Sequence, residues 1–441
     1  MKKTFSQKET GIICKAYLGL IVLILFGIKV NAQEYTKIAT NTKSTNSIVR
    51  SVNSTDRLVY NQYFSQSAFM MYTDNGSTTQ DLYLPDDVNV SDFIIRDGMV
   101  YFCGNRLING QNMSIMGYFS LTNFPYTTVY YHPNNDFTQF DKIDFYKIYS
   151  ESEPEVHIVM TAKNSHDQWT LVDAYPTLNN SWMFIFLNEM EDSLAGHEFY
   201  DIAVTDNYVV ATSSKRWGSI VGCCLWYCTK PSVPGHHAFE IDVRRIWHPM
   251  ISGKMIVAHW KNNMFATATF GRNHIIQVDV FNSFFHMQSF CFSTPFGTHL
   301  HDMNYNTDND ELDLFFRDSP NINHIFHFPM LGTGPIGTMS AHEYSGFTIF
   351  DIDYLANSSG WFVTTGVSNP NEKLLRLYKY KYDNYGDCTT QYQINTSYAT
   401  FNKNALLQNI SYWGYAYWRN TMATSTGTSP LNWLCEPNEE K

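Results

Sequence analysis

Two short segments of this 441-residue chain place a histidine and a glutamate directly before an aromatic residue. They are AGHEFYDIAV, which contains His197 and Glu198, and AHEYSGFTIFDIDY, which contains His342 and Glu343. Imidazole and carboxylate groups that converge can shift one another's pKa values and exchange protons with a substrate. Both segments continue into Asp-Ile at the head of an apolar run, so the repetition could equally be structural.

Four aspartates stand at the head of similar apolar runs. They are Asp92, Asp201, Asp302 and Asp351. If those runs are neighbouring strands, the sequence predicts that the four carboxylates form a ring together with the two His-Glu pairs. Such a ring could bind a ligand or a cation, or supply an acid and a base. The alternative is that each aspartate accepts backbone N–H bonds and fixes the start of its strand.

The segment GTHLHD adds two histidines, His299 and His301. Residues two apart lie on the same face of an extended strand, so these two imidazoles could bind one metal ion or another ligand, or simply pack. No third or fourth metal ligand is evident, and we predict no metal centre. The acidic segment NTDNDELD (306–313) lacks the spacing of an EF-hand loop. It is predicted to be a hairpin turn, with a structural Ca²⁺ as the alternative; no other cofactor is expected.

The elements that would position these residues are short strands in a recurring order. Similar segments begin near 92, 144, 201, 255, 302 and 351, which gives a period of about 50 residues. The clearest copies occupy 92–104, 113–121 and 127–132; 201–214, 219–228 and 238–243; 302–316, 322–328 and 337–344; and 351–366, 373–382 and 389–394. Alternating apolar residues, aromatic residues and Asn, Asp or Gly turns indicate antiparallel strands.

A period near 50 with four strands in each copy resembles the blade of a β-propeller. The predicted fold is therefore all-β, a single propeller over residues 33–441, with two stacked sandwich domains as the alternative. Further copies at 47–62 and 405–420 favour eight blades, with seven as the alternative. The N-terminal segment 34–40 is expected to supply the missing strand of the last copy and close the ring.

The first 32 residues predict export. Lys2, Lys3, Lys8 and Lys15 precede the uncharged run 16–28, and small residues follow, so we expect a signal peptide cleaved after Ala32. An uncleaved anchor is the alternative. The leader resembles those of secreted proteins from Bacteroidota-type bacteria, which implies a periplasmic, cell-surface or extracellular location.

Charge and cysteine content narrow the range of partners. Removing the leader's five lysines and one glutamate leaves a net charge of −15, which argues against nucleic acid as a partner. No second apolar run of membrane-spanning length follows. The cluster GCCLWYC (222–228) is predicted to contain buried free thiols, and Cys388 with Cys435 could form a disulfide.

Three functions remain compatible with the sequence. The favoured one is a secreted or cell-surface binding module for a protein or a glycan. The second is a carbohydrate-active enzyme, a glycoside hydrolase or a polysaccharide lyase, with its site at the mouth of the central channel. A hydrolase would need two carboxylates about 5–10 Å apart there. The third is a structural piece of a larger assembly.

Overall fold

The computed structural model describes residues 33–39 and much of 44–399. Between 44 and 399 the residues outside this description are 54–55, 64–66, 73–77, 86, 124–128, 132–136, 151–153, 177–181, 188–195, 218–219, 240–242, 252–253, 271–274, 283–284, 294–298, 307–309, 320–321, 330–336, 346–347, 355–359, 367–373 and 382–389.

The described chain is built from antiparallel β-strands, beginning with β1 (Gln33–Ala39). The next sixteen strands form four four-stranded units. Unit 1 contains β2 (Ser44–Ser51), β3 (Arg57–Tyr63), β4 (Ser67–Tyr72) and β5 (Thr78–Leu84). Unit 2 contains β6 (Val88–Arg96), β7 (Met99–Ile108), β8 (Gln111–Ser120) and β9 (Val129–Tyr131), with a 3-10 turn at Leu121–Asn123. Unit 3 contains β10 (Phe137–Ile148), β11 (Glu155–Asn164), β12 (Trp169–Pro176) and β13 (Trp182–Phe186). Unit 4 contains β14 (His197–Val204), β15 (Tyr208–Trp217), β16 (Ile220–Thr229) and β17 (Val243–Ile251).

The remaining strands complete three more units. Unit 5 contains β18 (Met255–Lys261), β19 (Met264–Phe270), β20 (Ile275–Asn282) and β21 (Phe285–Ser293). Unit 6 contains β22 (His299–Asn306), β23 (Glu311–Ser319), β24 (Ile322–Pro329) and β25 (Gly337–Ser345). Unit 7 contains β26 (Thr348–Tyr354), β27 (Gly360–Gly366) and β28 (Leu374–Lys381), and its fourth strand is β1. The last described strand, β29 (Thr390–Ala399), lies between β21 and β25 and joins units 5 and 6 into one nine-stranded sheet.

The first strands of the units lie side by side. In chain order β2, β6, β10, β14, β18, β22 and β26 each contact the next, and β26 contacts β2. Four-stranded antiparallel units whose first strands meet in this way define a β-propeller, as the period of the sequence predicted.

Apolar side chains fill the interfaces between neighbouring units. Phe69 of unit 1 illustrates this packing. Its ring centroid lies 5.2 Å from that of Phe93 and 5.1 Å from that of Phe119, both in unit 2. Both contacts are edge-to-face, a favourable geometry for aromatic pairs. A four-stranded sheet cannot bury its faces alone, and these aromatic interfaces supply the missing core.

Tight turns join several of the strands. Asp97-Gly98 connects β6 to β7 and Asn109-Gly110 connects β7 to β8, and all four residues have positive φ. Two such residues in a row are typical of the type I′ turn that joins closely paired antiparallel strands.

The structure changes several details of the predicted repeat. The described strands form seven four-stranded units, and the copy predicted at 405–420 lies outside the described residues. The segment 389–394 was expected to be the fourth strand of unit 7, but it belongs to β29, and β1 takes that place. In unit 4 the fourth strand is β17 rather than 238–243. Strand partners depend on distant residues, and local alternation does not specify them.

Five cysteines are described. Cys103, Cys223, Cys224 and Cys228 are buried and free, which confirms the prediction for the 222–228 cluster. Cys291 forms a disulfide with a cysteine outside the described residues. Cys388 and Cys435 lie outside them too, so their predicted pairing stays a prediction. In the described part of the chain no helix has the length and apolar character needed to span a bilayer.

Candidate functional site

An irregularity in the first strands determines where their charged side chains lie. In four units the register with the second strand shifts by one residue directly before an aspartate. The shifts fall between Val90 and Asp92, Phe199 and Asp201, Leu300 and Asp302, and Ile349 and Asp351. These are β-bulges, and bulges re-aim side chains and are common beside functional sites.

The bulge separates core residues from polar ones. In unit 4, Phe199 and Ile202 are both buried in one apolar cluster although they are three residues apart, and the extra residue lies between them. Leu300 and Met303 of unit 6 show the same spacing. Each aspartate also lies near the middle of its strand rather than at the start, so the ring that they form is set within the propeller and not at its mouth.

Lysines take the place of aspartate in two units. Lys142 lies within an irregularity of β10 between Phe140 and Ile143, and it directly precedes Ile143, as Asp201 precedes Ile202. Lys254 directly precedes Met255, the first residue of β18. From unit 2 to unit 6, in chain order, these charged residues therefore alternate in sign.

Unit 1 contributes Arg50, which directly follows the apolar residues Ile48 and Val49 of β2. We call the resulting set the charged belt. It consists of Arg50, Asp92, Lys142, Asp201, Lys254, Asp302 and Asp351. The four aspartates were predicted, and the three cations were not. Aligning the copies on the apolar residue that follows each aspartate would have revealed the two lysines.

One sector of the belt is closed by direct ion pairs. Arg50 donates to Asp351 at 2.6 Å and to Asp92 at 2.8 Å, so that one guanidinium joins units 1, 2 and 7. It also donates to the carbonyls of Val49 and Phe93. Burial opposes the charged guanidinium, but Asp351 and Asp92 outweigh burial and raise the pKa of Arg50.

The aspartates also accept backbone N–H bonds, as the structural alternative predicted. Asp201 accepts from Ile202 at 3.0 Å and from Val257 of unit 5 at 2.9 Å. Asp92 accepts from its neighbour Phe93 and from unit 3, and Asp351 accepts from unit 1. Asp302 accepts from Met303 at 2.8 Å. Three of the four carboxylates therefore connect one first strand to the next.

The opposite sector contains Lys142, Asp201, Lys254 and Asp302. Burial lowers the pKa of Lys142, but Asp92, Asp201 and Asp302 together raise it above its ordinary value. Asp302 belongs to unit 6 and Lys142 to unit 3, so the charge of Asp302 acts on Lys142 from a unit that is not its neighbour. Burial lowers the pKa of Lys254, and Lys142 lowers it further.

Asp201 and Asp351 are the two belt carboxyls whose pKa values are raised to about 7. Burial raises the pKa of Asp201 to about 7, Lys142 opposes this, and Asp302 adds to it. Burial also raises the pKa of Asp351, against the effect of Arg50. Asp141, which the sequence analysis did not single out, lies beside Lys142, and burial raises the pKa of its carboxyl as well.

His299 and His301 were expected to share a face of a regular extended strand, but β22 is interrupted between them. His299 pairs with Arg317 and Asp302 pairs with Phe315, so His301 is the extra residue of the bulge and the alternation is broken. His299 is exposed, whereas the ring of His301 stacks on Phe315 with centroids 4.9 Å apart. Burial, then Arg317 and Lys254, hold the pKa of His301 well below its usual range. The described side chains include no group of three potential ligands placed to hold a metal ion.

The two His-Glu pairs occupy different places in their units. His197 and Glu198 lie on β14, the first strand of unit 4, while His342 and Glu343 lie on β25, the fourth strand of unit 6. The Asp-Ile halves of the two segments are equivalent, because Asp201 lies on β14 and Asp351 on β26, both first strands.

His197 has a structural environment. It is buried, and its Nδ1 lies 2.9 Å from Ser213 Oγ, which also accepts from Trp226 Nε1 at 2.8 Å. Glu198 is exposed and accepts a hydrogen bond from the Tyr200 hydroxyl at 3.0 Å. Burial, with a contribution from Glu198, raises the pKa of Tyr200 to about 12.

A second polar cluster lies away from the belt, between units 3 and 4. His157 is fully buried, and its two ring nitrogens lie 2.9 Å from Asp173 and 3.0 Å from Glu155. These two carboxylates also accept the backbone N–H groups of Ala238 and Gly235. The cluster therefore fastens the connection after β16 to unit 3, which is a structural role.

Comparison with known proteins finds similarity only at the level of structure. No family model and no curated protein matches the chain. Among solved structures, the β-propeller domain of the Trilobed protease from Pyrococcus furiosus aligns at 7% identity over 80% of this chain and 98% of its own, with a TM-score of 0.47. Polysaccharide lyase Uly1 aligns at 7% identity over 79% and 99%, with a TM-score of 0.46. The uncharacterized protein lmo1340 from Listeria monocytogenes EGD-e aligns at 10% identity over 75% and 92%, with a TM-score of 0.45. All three scores lie below 0.5, so the fold rests on the strand order and contacts of this chain.

Proposed function

We propose that this chain is an exported binding module, a seven-bladed propeller closed by β1, that takes up a glycan or protein ligand on its axis. The single observation behind the proposal is the charged belt, to which every unit contributes one charged side chain. Charges of both signs that converge in one partly exposed place are suited to orienting a polar ligand.

The bonding of the aspartates favours binding over catalysis. Asp201 uses both carboxylate oxygens to accept backbone N–H bonds, and Asp92 and Asp351 are engaged by Arg50. A general acid or base must reach the proton that it transfers. Carboxylates held in this way serve first to connect the blades.

A carbohydrate-active enzyme is the second candidate, and one observation favours it. The pKa of Asp201 is raised to about 7, and Asp302 contributes to that shift. One carboxyl that is protonated near neutral pH and a second carboxyl close to it are the groups that glycoside hydrolysis requires.

An oxidising location outside the cytoplasm is part of the proposal. The predicted leader and its resemblance to Bacteroidota secretion signals support export, and so does the disulfide of Cys291, because disulfides persist mainly in exported proteins. The belt would then face ligands of the periplasm or of the cell exterior.

A polysaccharide panel tests the proposal. The mature chain is titrated with soluble polysaccharides, while retention in affinity gels and the release of new reducing or unsaturated ends are both measured. Binding without release is expected. Release that Asp201→Asn abolishes, and that the exposed control Asp167→Asn leaves intact, would replace the binding module with the enzyme.

A further inference from the structure

The disulfide of Cys291 ties an outer strand of the propeller to a part of the chain that is remote in sequence. Cys291 lies on β21, the fourth strand of unit 5, and is 5% exposed. The other four described cysteines are buried and free, so none of them is its partner. Three cysteines remain, and of these Cys14 leaves with the predicted leader. In the mature chain the partner is therefore Cys388 or Cys435.

The pairing of β29 limits where Cys388 can lie. Ser397 of β29 is opposite Cys291, and opposite residues of an antiparallel pair have Cα atoms about 4.5–5.5 Å apart. Thr390, the first residue of β29, pairs with Glu343 of β25. The seven residue steps between Thr390 and Ser397 cover about 23 Å, at about 3.3 Å per step. The first residue of β29 is therefore far from Cys291.

This distance excludes Cys388 as the partner. Cys388 precedes Thr390 by two residues. Consecutive Cα atoms are about 3.8 Å apart, so the Cα atom of Cys388 lies within about 7.6 Å of that of Thr390. Even a chain that turned straight back along β29 would leave about 10 Å between the Cα atoms of Cys388 and Cys291. A disulfide requires a separation of about 4.4–6.8 Å.

We infer that Cys291 is bonded to Cys435, and that this disulfide is a redox-sensitive clasp on β29. Residue 435 follows residue 397 by 38 positions, which is ample length for the chain to return to β21. Because Ser397 is opposite Cys291, the bond closes residues 397–435 into a loop that begins and ends on β21. Cys388 is then a thiol, and the bond between Cys388 and Cys435 considered from the sequence does not form.

The clasp acts on the strand that joins two units. β29 makes four residue pairs with β21 of unit 5 and seven with β25 of unit 6. While the disulfide is intact, the end of β29 stays beside β21 even when the four pairs open, so that they re-form as an intramolecular step at high effective concentration. The oxidised chain therefore keeps the outer edges of units 5 and 6 joined. This inference is independent of the proposed binding function.

Reduction releases the clasp by thiol–disulfide exchange. A thiolate of a dithiol reductant attacks one sulfur of the bond and forms a mixed disulfide, which the second thiol of the reductant resolves. The chain gains the two thiols of Cys291 and Cys435, and the dithiol is oxidised to a disulfide. β29 is then held by its strand pairs alone. The seam between β29 and β21, which has the fewer pairs, is expected to open more often.

Peptide mapping tests the bond. The mature chain is denatured and alkylated without reductant, digested with trypsin and analysed by mass spectrometry. Trypsin places Cys291, Cys388 and Cys435 in the separate peptides 273–317, 382–403 and 420–441. We expect 273–317 to be linked to 420–441, with Cys388 alkylated. A link from 382–403 to either of the other peptides, or no linked peptide at all, would overturn the inference.

Hydrogen exchange tests the clasp. Reduction of the folded chain with dithiothreitol is expected to speed exchange of the β29 amides about tenfold or more, while those of β15 and β16 in unit 4 are unchanged. Cys435→Ser is expected to reproduce the fast exchange without reductant. Cys388→Ser is the matched control and should exchange as the wild type does. Slow exchange of β29 in both the reduced chain and Cys435→Ser would reject the clasp, even with the bond mapped.

Discussion

At the scale of single residues, Arg50 joins three units through largely buried ion pairs. It is 22% exposed and contacts two aspartates whose side chains are 8% and 11% exposed. Removing one partner from a largely buried ionic group leaves the other charges without compensation, and this costs far more than the intact group contributes.

We therefore predict that Arg50→Met lowers the free energy of unfolding by about 3 kcal/mol. The matched control is Arg106→Met, which breaks a 2.6 Å pair with Asp87 in which both side chains are about one-third exposed. An exposed pair of this kind is worth at most about 1 kcal/mol. Urea unfolding of both variants measures the difference, and equal losses would show that Arg50 is not a special link.

The raised pKa of Asp201 predicts a dependence of stability on pH. Its carboxyl titrates near pH 7 in the folded chain and near pH 4 when unfolded, so the folded state binds more protons between these values. The stability that this group contributes is present below about pH 4 and is lost as the pH rises through about 7.

Asp201→Asn mimics the protonated carboxyl and should remove that loss. We expect the variant to lose less stability than the wild type between pH 5 and pH 8 in urea titrations. The comparison must be made between variants, because the lowered pKa of His301 acts in the opposite sense and costs stability as the pH falls below about 6.5. Parallel curves for the two proteins would contradict the assignment.

The sequence predicted part of the belt because part of it repeats one residue type. Asp201 and Asp351 recur before isoleucine, and this made them visible. Arg50, Lys142 and Lys254 complement the aspartates instead of repeating them, so no recurring residue type marks them. Only an alignment of the copies on the apolar residue after each aspartate brings the two lysines into line, and Arg50 has no such signal.

At the scale of strands, the bulge is the feature that local reasoning missed. Simple alternation would put Phe199 and Asp201 on the same face, but the inserted residue puts Phe199 and Ile202 together in the core. A spacing of three between buried apolar residues within a strand was the available signal. Regular alternation with period two does not include this inserted residue, so the shared face predicted for His299 and His301 is wrong.

The strand opposite one bulge contains a glycine that the close approach requires. A Cβ added to Gly104 of β7 would lie 2.0 Å from the backbone oxygen of Asn89 on β6, so the two strands would have to separate. We predict that Gly104→Ala lowers the free energy of unfolding by roughly 2–4 kcal/mol.

Gly110→Ala provides the contrast for that prediction. Gly110 has a φ of +79° and an added Cβ would meet nothing within 4 Å, so only backbone strain is expected, at about 1 kcal/mol. Thermal unfolding of the two variants measures the difference. Equal effects would mean that β6 and β7 tolerate separation near the bulge.

At the scale of the whole molecule, the pairing of β1 with β28 supplies the fourth strand of unit 7. Deleting residues 33–39 from the mature chain should lower the melting temperature by roughly 5 °C or more, because an entire edge of paired backbone is lost. A variant with an N-terminal tag that keeps 33–39 is the control. An unchanged melting temperature would show that β1 contributes nothing to closure.

Thiol counting checks the covalent state of the molecule. The chain has eight cysteines, and cleavage after Ala32 removes Cys14. With Cys291 in a disulfide with one other cysteine of the mature chain, denatured protein without reductant should titrate as five thiols, and the folded protein should expose none of its four buried ones. Seven thiols would contradict the disulfide.

The architecture was more predictable than its closure. Repeats of four strands near a 50-residue period follow from local patterns such as DIAV at 201–204 and its equivalents. β1 completes unit 7, and β29 joins units 5 and 6. Both pairings depend on which distant edges meet. No local pattern contains that information.

The position of β1 also dictates an order of events during folding. β1 is the first described strand to be synthesised, and its partner β28 is among the last. Gln33, for example, pairs with Tyr380. Contacts between such distant residues form slowly, because a long loop must close before they contribute. Until then the edge of β28 is an open template on which another chain could pair. For this propeller, the interval between the synthesis of β1 and its pairing with β28 is therefore a period of aggregation risk.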